Sequence, residues 1–169
     1  MHTKHTQYER LVRAFHADIY RYAVWLIKDP SIAEDVVQET FLRAWKSLDA
    51  LQDEKAAKAW LITILRRENA RRFERKQLDV VDIDDVATPD PNATSNAHAQ
   101  HRELTAAIHQ LEDEYKEPLI LQSLFGYTGE EISDILDLNK NTVMTRLFRA
   151  RNQLKNIMNP TDLQGQANG

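Results

Sequence analysis

The sequence predicts an all-α protein with two small helical domains joined by a flexible linker. Apolar residues recur at helical spacing in two separate parts of the chain, and only 4 of the 169 residues are glycine. An acidic stretch with two prolines and no helical period lies between these parts. The predicted domains are residues 1–77 and 101–158, with the linker at 78–100 and a disordered tail at 159–169.

Composition and charge limit the possible function classes. The chain has no cysteine, which excludes disulfides and thiolate metal sites, and no apolar run near the length of a membrane span. We therefore expect a cytoplasmic protein without membrane insertion. The net charge of −4 hides a segregated distribution, because the linker has five Asp and no Lys or Arg. The cations of the first domain concentrate near its end, at Arg66, Arg67, Arg71, Arg72, Arg75 and Lys76.

The first domain begins with two predicted helices. The first helix ends at Asp29 and Pro30, and Ser31 is predicted to cap the second, with Glu34 completing a capping box. The apolar residues of the first helix are Tyr8, Leu11, Val12, Phe15, Ile19, Tyr22, Ala23 and Leu26. The core stripe of the second is Ala33, Val37, Phe41, Ala44 and Leu48.

The other face of the second helix carries Asp35, Gln38, Glu39 and Leu42. A leucine among carboxylates suits a protein contact in which the acids meet arginine side chains. The alternative is an ordinary exposed leucine, with the acids favouring a helix N-terminus.

A third helix is predicted from about Ala56, with Trp60, Leu61, Ile64 and Leu65 facing inward before the basic turns. Cations beside aromatic residues form the kind of platform that binds single-stranded nucleic acid. The alternative for Trp60 is a purely structural place in the core.

The second domain ends in a predicted helix-turn-helix. Thr128 and Glu131 form a capping box, and Asn139 caps a second helix that begins at Lys140. At about 100° per residue, this helix has a buried stripe of Val143, Leu147, Ala150 and Leu154. The opposite face carries Asn141, Thr145, Phe148, Arg149 and Asn152, which suits reading of a DNA major groove. The alternative is a solvated basic helix in an ordinary bundle.

No catalytic constellation is present, because no nucleophile has a base at a suitable position. His98 and His101 have the spacing of a helical metal pair. Without nearby cysteine or carboxylate ligands they are interpreted as ordinary polar residues, and no metal or cofactor is expected.

Three stretches carry a resemblance to a known family: AEDVVQETFLRAW from Ala33, AWLITI from Ala59 and EEISDILDLNKNTVMTRLFRAR from Glu130. In this order they resemble a bacterial RNA polymerase sigma factor of the extracytoplasmic function group, within the sigma-70 family. The resemblance covers about residues 8–158 and implies sigma region 2 in the first domain and region 4 in the second.

The resemblance implies core RNA polymerase and promoter DNA as partners, and an anti-sigma factor as a regulator. The surface with Asp35, Gln38, Glu39 and Leu42 would bind the polymerase. The promoter −10 element would be bound and melted by Trp60, Arg66, Arg67, Arg71, Arg72 and Arg75. The −35 element would be read by Lys140, Asn141, Thr142, Thr145, Arg146, Phe148 and Arg149.

The chain departs from the family pattern at three positions. Arg67 stands where Asn is common, Arg71 where Asp is usual, and Met144 where a cation is usual. The first two departures make the −10 helix more basic. The alternatives are a stand-alone helix-turn-helix regulator, or an interaction module held by an inhibitory partner. The acidic linker is a further hypothesis: it would imitate nucleic acid charge in a basic channel of the polymerase.

Overall fold

The computed structural model describes residues 3–78 and 96–160, and the regular structure in these ranges is helical throughout. The all-α prediction is confirmed. Short 3₁₀ turns at Leu48–Ala50 and Glu54–Ala56 connect the second and third α-helices. The α-helices of the described ranges are α1 (Lys4–Ile27), α2 (Pro30–Lys46), α3 (Ala57–Leu78), α4 (Asn96–His109), α5 (Asp113–Ser123), α6 (Gly129–Leu136) and α7 (Lys140–Met158).

The chain divides into two compact units, Met1–Ala87 and Thr88–Gly169. Unit 1 contains α1 to α3, and unit 2 contains α4 to α7. Within the described ranges, none of the helices combines the length and apolar character needed to cross a membrane. The acidic residues Asp79, Asp82, Asp84 and Asp85 of the predicted linker, and the predicted tail beyond residue 160, lie outside the described residues.

Helix α4 begins at Asn96, inside the range 78–100 that was predicted as linker. The residues from Asn96 to Gln100 include two alanines and a glutamine, which favour helix. Pro89 and Pro91 restrict only the backbone close to them. The average composition of residues 78–100 therefore did not indicate that a helix begins within the last five of them.

The core of unit 1 lies where α1, α2 and α3 pack against one another. The stripe predicted for α2 is confirmed, because Ala33, Val37, Phe41 and Ala44, with Leu48 just after the helix, are all buried. From α1, the buried residues are Leu11, Ile19, Tyr22 and Ala23. From α3, they include Leu61, Ile62, Ile64 and Leu65.

Helix α2 begins at Pro30, and its cap is Asp29 rather than the predicted Ser31. One carboxylate oxygen of Asp29 accepts from the amides of Ser31 and Ile32, at 2.9 and 3.4 Å. Proline favours the first helical position because its fixed φ suits the helix and its missing amide proton is not needed there. The sequence predicted that Pro30 ends α1, whereas in the structure Pro30 is the first residue of α2.

The helix-turn-helix of unit 2 is confirmed. Thr128 Oγ1 accepts from the Glu131 amide at 3.2 Å, and the Thr128 amide donates to Glu131 Oε1 at 3.1 Å. Asp137, with φ of 54°, ends α6 in the left-handed region, and Asn139 then caps α7. Val143, Leu147 and Ala150 of the predicted α7 stripe are fully buried, and Leu154 is half-buried against a cluster of Leu111, Leu119 and Ala150.

The cap at Asp29 leads to a prediction about stability. Asp29→Ala should lower the free energy of unfolding of unit 1 by about 1 kcal/mol, because two amides at the start of α2 lose their acceptor. Ser31→Ala is the control and should change it by less than about 0.5 kcal/mol. Denaturant unfolding followed by tryptophan fluorescence measures unit 1 alone, since Trp25, Trp45 and Trp60 all belong to it. A larger loss for Ser31→Ala would contradict the assignment of the cap.

Candidate functional site

The outward face of α2 presents the predicted protein-binding residues together. Asp35, Gln38 and Leu42 are exposed, and Glu39 is half-buried. Leu42 has 54% of its surface exposed, so it does not contribute to the core of unit 1. The spacing of three and four residues between these positions places them on one side of the helix.

The basic part of α3 follows the half-buried Trp60. The structure gives Trp60 an intermediate place, since it is neither a fully buried core residue nor a freely exposed ring. Helical rotation puts Arg67 and Arg71 within about 20° of Trp60, and Arg66 about 120° away. Among these cations, Arg67, Arg71 and Arg75 are exposed, whereas Arg66 and Arg72 are half-buried.

A groove of about 170 Å³ between α2 and α3 joins the two predicted surfaces of unit 1. The sequence predicted separate roles for the acids of α2 and the arginines of α3. In the structure they line the same groove, together with Val36 and Glu68. Its lining is Asp35, Val36, Glu39, Glu68, Arg71, Arg72 and Arg75.

An ion network that the sequence reasoning missed lies at this groove. Arg43 Nε is 3.1 Å from Glu68 Oε1 and 3.4 Å from Glu39 Oε1. Arg71 Nη1 is 3.6 Å from the same Glu68 oxygen. The Arg43 Nε contacts are ion pairs without hydrogen-bond alignment. Because only 9% of the Glu68 side chain is exposed, the two cations compensate a carboxylate that has lost most of its water. The i,i+3 spacing of Glu68 and Arg71 was the available sequence signal.

Helix α7 presents the predicted reading face of unit 2. Asn141, Thr145 and Arg149 are exposed, and Phe148 has 66% of its surface exposed. Thr142 and Arg146 are half-buried, and the exposed Lys140 pairs with Glu130 of α6 at 3.2 Å. Exposed pairs of this kind contribute little to stability. The face therefore keeps its polar and cationic groups accessible.

A second groove, of about 400 Å³, runs along this face of α7. Its lining includes two residues of α5, Glu114 and Tyr115, that the sequence reasoning did not select. No local signal could identify them, because they approach α7 only through the packing of α5 on α7. The α7 residues that line it are Asn141, Thr142, Thr145, Arg146 and Arg149.

Met144 lies where α7 passes the start of α6. A Cβ atom added to Gly129 would be 3.0 Å from Met144 Sδ, so the absence of a side chain at Gly129 leaves room for the thioether. Met144 is nevertheless 48% exposed. Its apolar end therefore packs on the neighbouring helix, in contrast to the cations on the reading face.

Comparison with known proteins identifies the family. The model of sigma-70 region 2 matches residues 11–78, and the model of sigma-70 region 4 matches residues 101–154. The RNA polymerase sigma factor SigV of Bacillus subtilis is 32% identical over 146 residues, which are 86% of this chain and 87% of the relative. SigM of the same organism, an ECF RNA polymerase sigma factor, is 31% identical over 155 residues, covering 89% of this chain and 94% of the relative.

The chain is an ECF sigma factor of the sigma-70 family. A solved structure supports this conclusion: the sigma factor RpoE of Bartonella quintana, in complex with the anti-sigma factor NepR, is similar with a TM-score of 0.74 and 26% identity. The likeness covers 90% of this chain and 96% of that protein. The region 2 match of this sigma factor falls on α1 to α3, and its region 4 match falls on α4 to α7.

The two faces of α7 in this sigma factor should separate stability from surface function. Phe148→Ala should change the free energy of unfolding of unit 2 by less than about 0.5 kcal/mol, because the ring is exposed. Leu147→Ala, at a neighbouring position with no exposed surface, should cost about 2–5 kcal/mol. Native-state hydrogen exchange of α7 amides measures both. Equal losses would show that Phe148 packs in the core.

Proposed function

We propose that this sigma factor binds core RNA polymerase through unit 1 and directs promoter-specific initiation with both units. The observation that carries the proposal is the pairing of two surfaces in one chain. Unit 1 presents acids beside a basic helix, and unit 2 presents an accessible basic helix-turn-helix. The protein acts in the cytoplasm as a non-catalytic subunit and needs no cofactor.

The polymerase-binding surface consists of Asp35, Gln38, Glu39 and Leu42. An exposed leucine supplies an apolar contact, and the carboxylates supply charge-assisted bonds to cationic side chains of the partner. A helix face that contacts only water would not require an exposed leucine among its carboxylates. The family membership supports the reading of this face as a protein contact.

The −10 surface consists of Trp60 and the cations Arg66, Arg67, Arg71, Arg72 and Arg75. Opening the duplex costs a few kcal/mol for each base that leaves the stack. A half-buried aromatic ring and cations along one helix offset this cost by contacting an unstacked base and the phosphates.

The −35 surface lies on α7. Arginine suits the guanine edge in a major groove, asparagine suits adenine, and the exposed Phe148 ring suits a thymine methyl group. Lys140 adds charge for phosphate, which gives affinity without base selection. The residues are Lys140, Asn141, Thr142, Thr145, Arg146, Phe148 and Arg149.

An anti-sigma factor is the proposed regulator. The similar Bartonella quintana sigma factor was solved in complex with the anti-sigma factor NepR. A partner of this kind would compete with core polymerase for the exposed surfaces of this chain.

Run-off transcription with core polymerase tests the proposed function. The sigma factor should yield promoter-dependent transcripts, and mapping their starts would give both promoter elements. Binding to duplex DNA that does not change when core polymerase is added, without transcripts, would favour a stand-alone helix-turn-helix regulator instead.

Asp35→Ala should weaken binding to core polymerase about tenfold, which corresponds to ~1.4 kcal/mol, because a charged contact is lost. Glu34→Ala is the matched control, since this exposed acid precedes Asp35 on the same helix but does not line the groove. Fluorescence anisotropy with labelled sigma factor measures the affinity. Equal effects of the two variants would contradict the assigned surface.

Arg149→Ala should reduce discrimination at one base pair of the −35 element by about 1–3 kcal/mol, because arginine contacts a base edge. Lys155→Gln, which removes an exposed cation near the end of α7, should weaken all sequences equally and slightly. Holoenzyme binding to a set of promoter fragments with single base-pair changes measures both. Uniform weakening by Arg149→Ala would identify it as a phosphate contact.

A further inference from the structure

The Glu68 carboxylate forms ion pairs with two arginines, one on its own helix and one on the neighbouring helix. Arg43 of α2 and Arg71 of α3 both approach Glu68 Oε1, at 3.1 and 3.6 Å. The Glu68 side chain is only 9% exposed, whereas half of the Arg71 side chain is exposed. Arg43 is in turn divided between Glu68 and Glu39.

Moving Arg71 away from this network has an electrostatic cost. Glu68 would then have Arg43 as its remaining ion-pair partner, and Arg43 also pairs with Glu39. A carboxylate with little access to water depends on its cationic partners, so the loss of one is unfavourable. Arg67 differs because the ion pairs of Glu68 are with Arg43 and Arg71, and Arg67 does not line the groove.

We infer that Glu68 is a positioning residue that holds Arg71 in the protein network and leaves Arg67 as the main phosphate contact on this part of α3. The inference rests on the proposed function, because it divides the cations of the −10 surface into two roles. It also changes the meaning of the departures from the family pattern. The added charge at Arg71 is balanced within the protein, and the added charge at Arg67 is available to DNA.

The salt dependence of DNA binding distinguishes the two roles. The logarithm of affinity falls with the logarithm of salt concentration, with a slope of roughly 0.7 per phosphate neutralised on a single strand. Arg67→Gln should lower this slope by about 0.7, and Arg71→Gln by less than half of that amount. Glu68→Gln should raise the slope by about 0.7, because Arg71 gains freedom to bind phosphate, and adding Arg71→Gln should remove this gain.

The experiment uses the full chain and a fluorescein-labelled dT oligonucleotide of about 20 nucleotides, long enough to cross one binding surface. Anisotropy titrations at several salt concentrations give the slopes. Contributions from unit 2 are common to all variants and cancel in the differences. The inference is overturned if Arg71→Gln lowers the slope as much as Arg67→Gln, or if Glu68→Gln does not raise it.

Unfolding gives a second test that does not depend on DNA. Arg71→Gln should lower the denaturant midpoint of unit 1 more than Arg67→Gln, because only Arg71 compensates a buried carboxylate. Equal midpoints would overturn the inference. Failure of the proposed function would instead show as absent transcripts from the wild-type sigma factor with core polymerase. The two failures are therefore distinguishable.

Discussion

Burial of one side of α3 against α1 and α2 is the constraint on which the arrangement of unit 1 depends. Leu61, Ile62 and Leu65 have no exposed surface, and side chains of this kind each contribute about 1.5–3 kcal/mol when fully buried. Their position fixes the rotation of the helix about its axis. Glu68 follows Leu65 by three residues, so the same rotation brings its carboxylate to the edge of the core beside α2. The ion network is a consequence of apolar packing.

The same constraint acts in unit 2 with a different result. The buried stripe of α7 contains Val143, Leu147 and Ala150, each without exposed surface, so polar groups and Phe148 must point outward. The tight connection through Asp137 and Asn139 fixes where α7 begins relative to α6. The two polar caps and the apolar stripe therefore set which side chains of α7 point outward.

The charges of unit 1 are balanced locally at the groove between α2 and α3. A net charge of −4 describes neither surface, because the arginines of α3 and the acids of α2 meet in one groove. A cation beside a buried carboxylate is expected to attract phosphate less than a cation without an acidic partner does, since much of its field is already compensated. Counting the basic residues of a helix consequently does not show how many of them already have an acidic partner within the protein.

Sequence alone was sufficient to predict the three helices of unit 1, the helix-turn-helix and its caps, and the buried stripes of α2 and α7, because these features depend on residues within one or two turns of each other. It also identified the family, through motifs that are continuous in the chain. Local signals were ambiguous at Pro30, because a proline can mark either the end of one helix or the start of the next. They were also ambiguous near Asn96, where residues that favour helix follow a polar and acidic segment. The ion pair of Glu68 with Arg43 and the position of Glu114 beside α7 are visible only in the folded structure. A helical period specifies the faces of each helix separately, whereas contacts between helices depend on how the whole core packs.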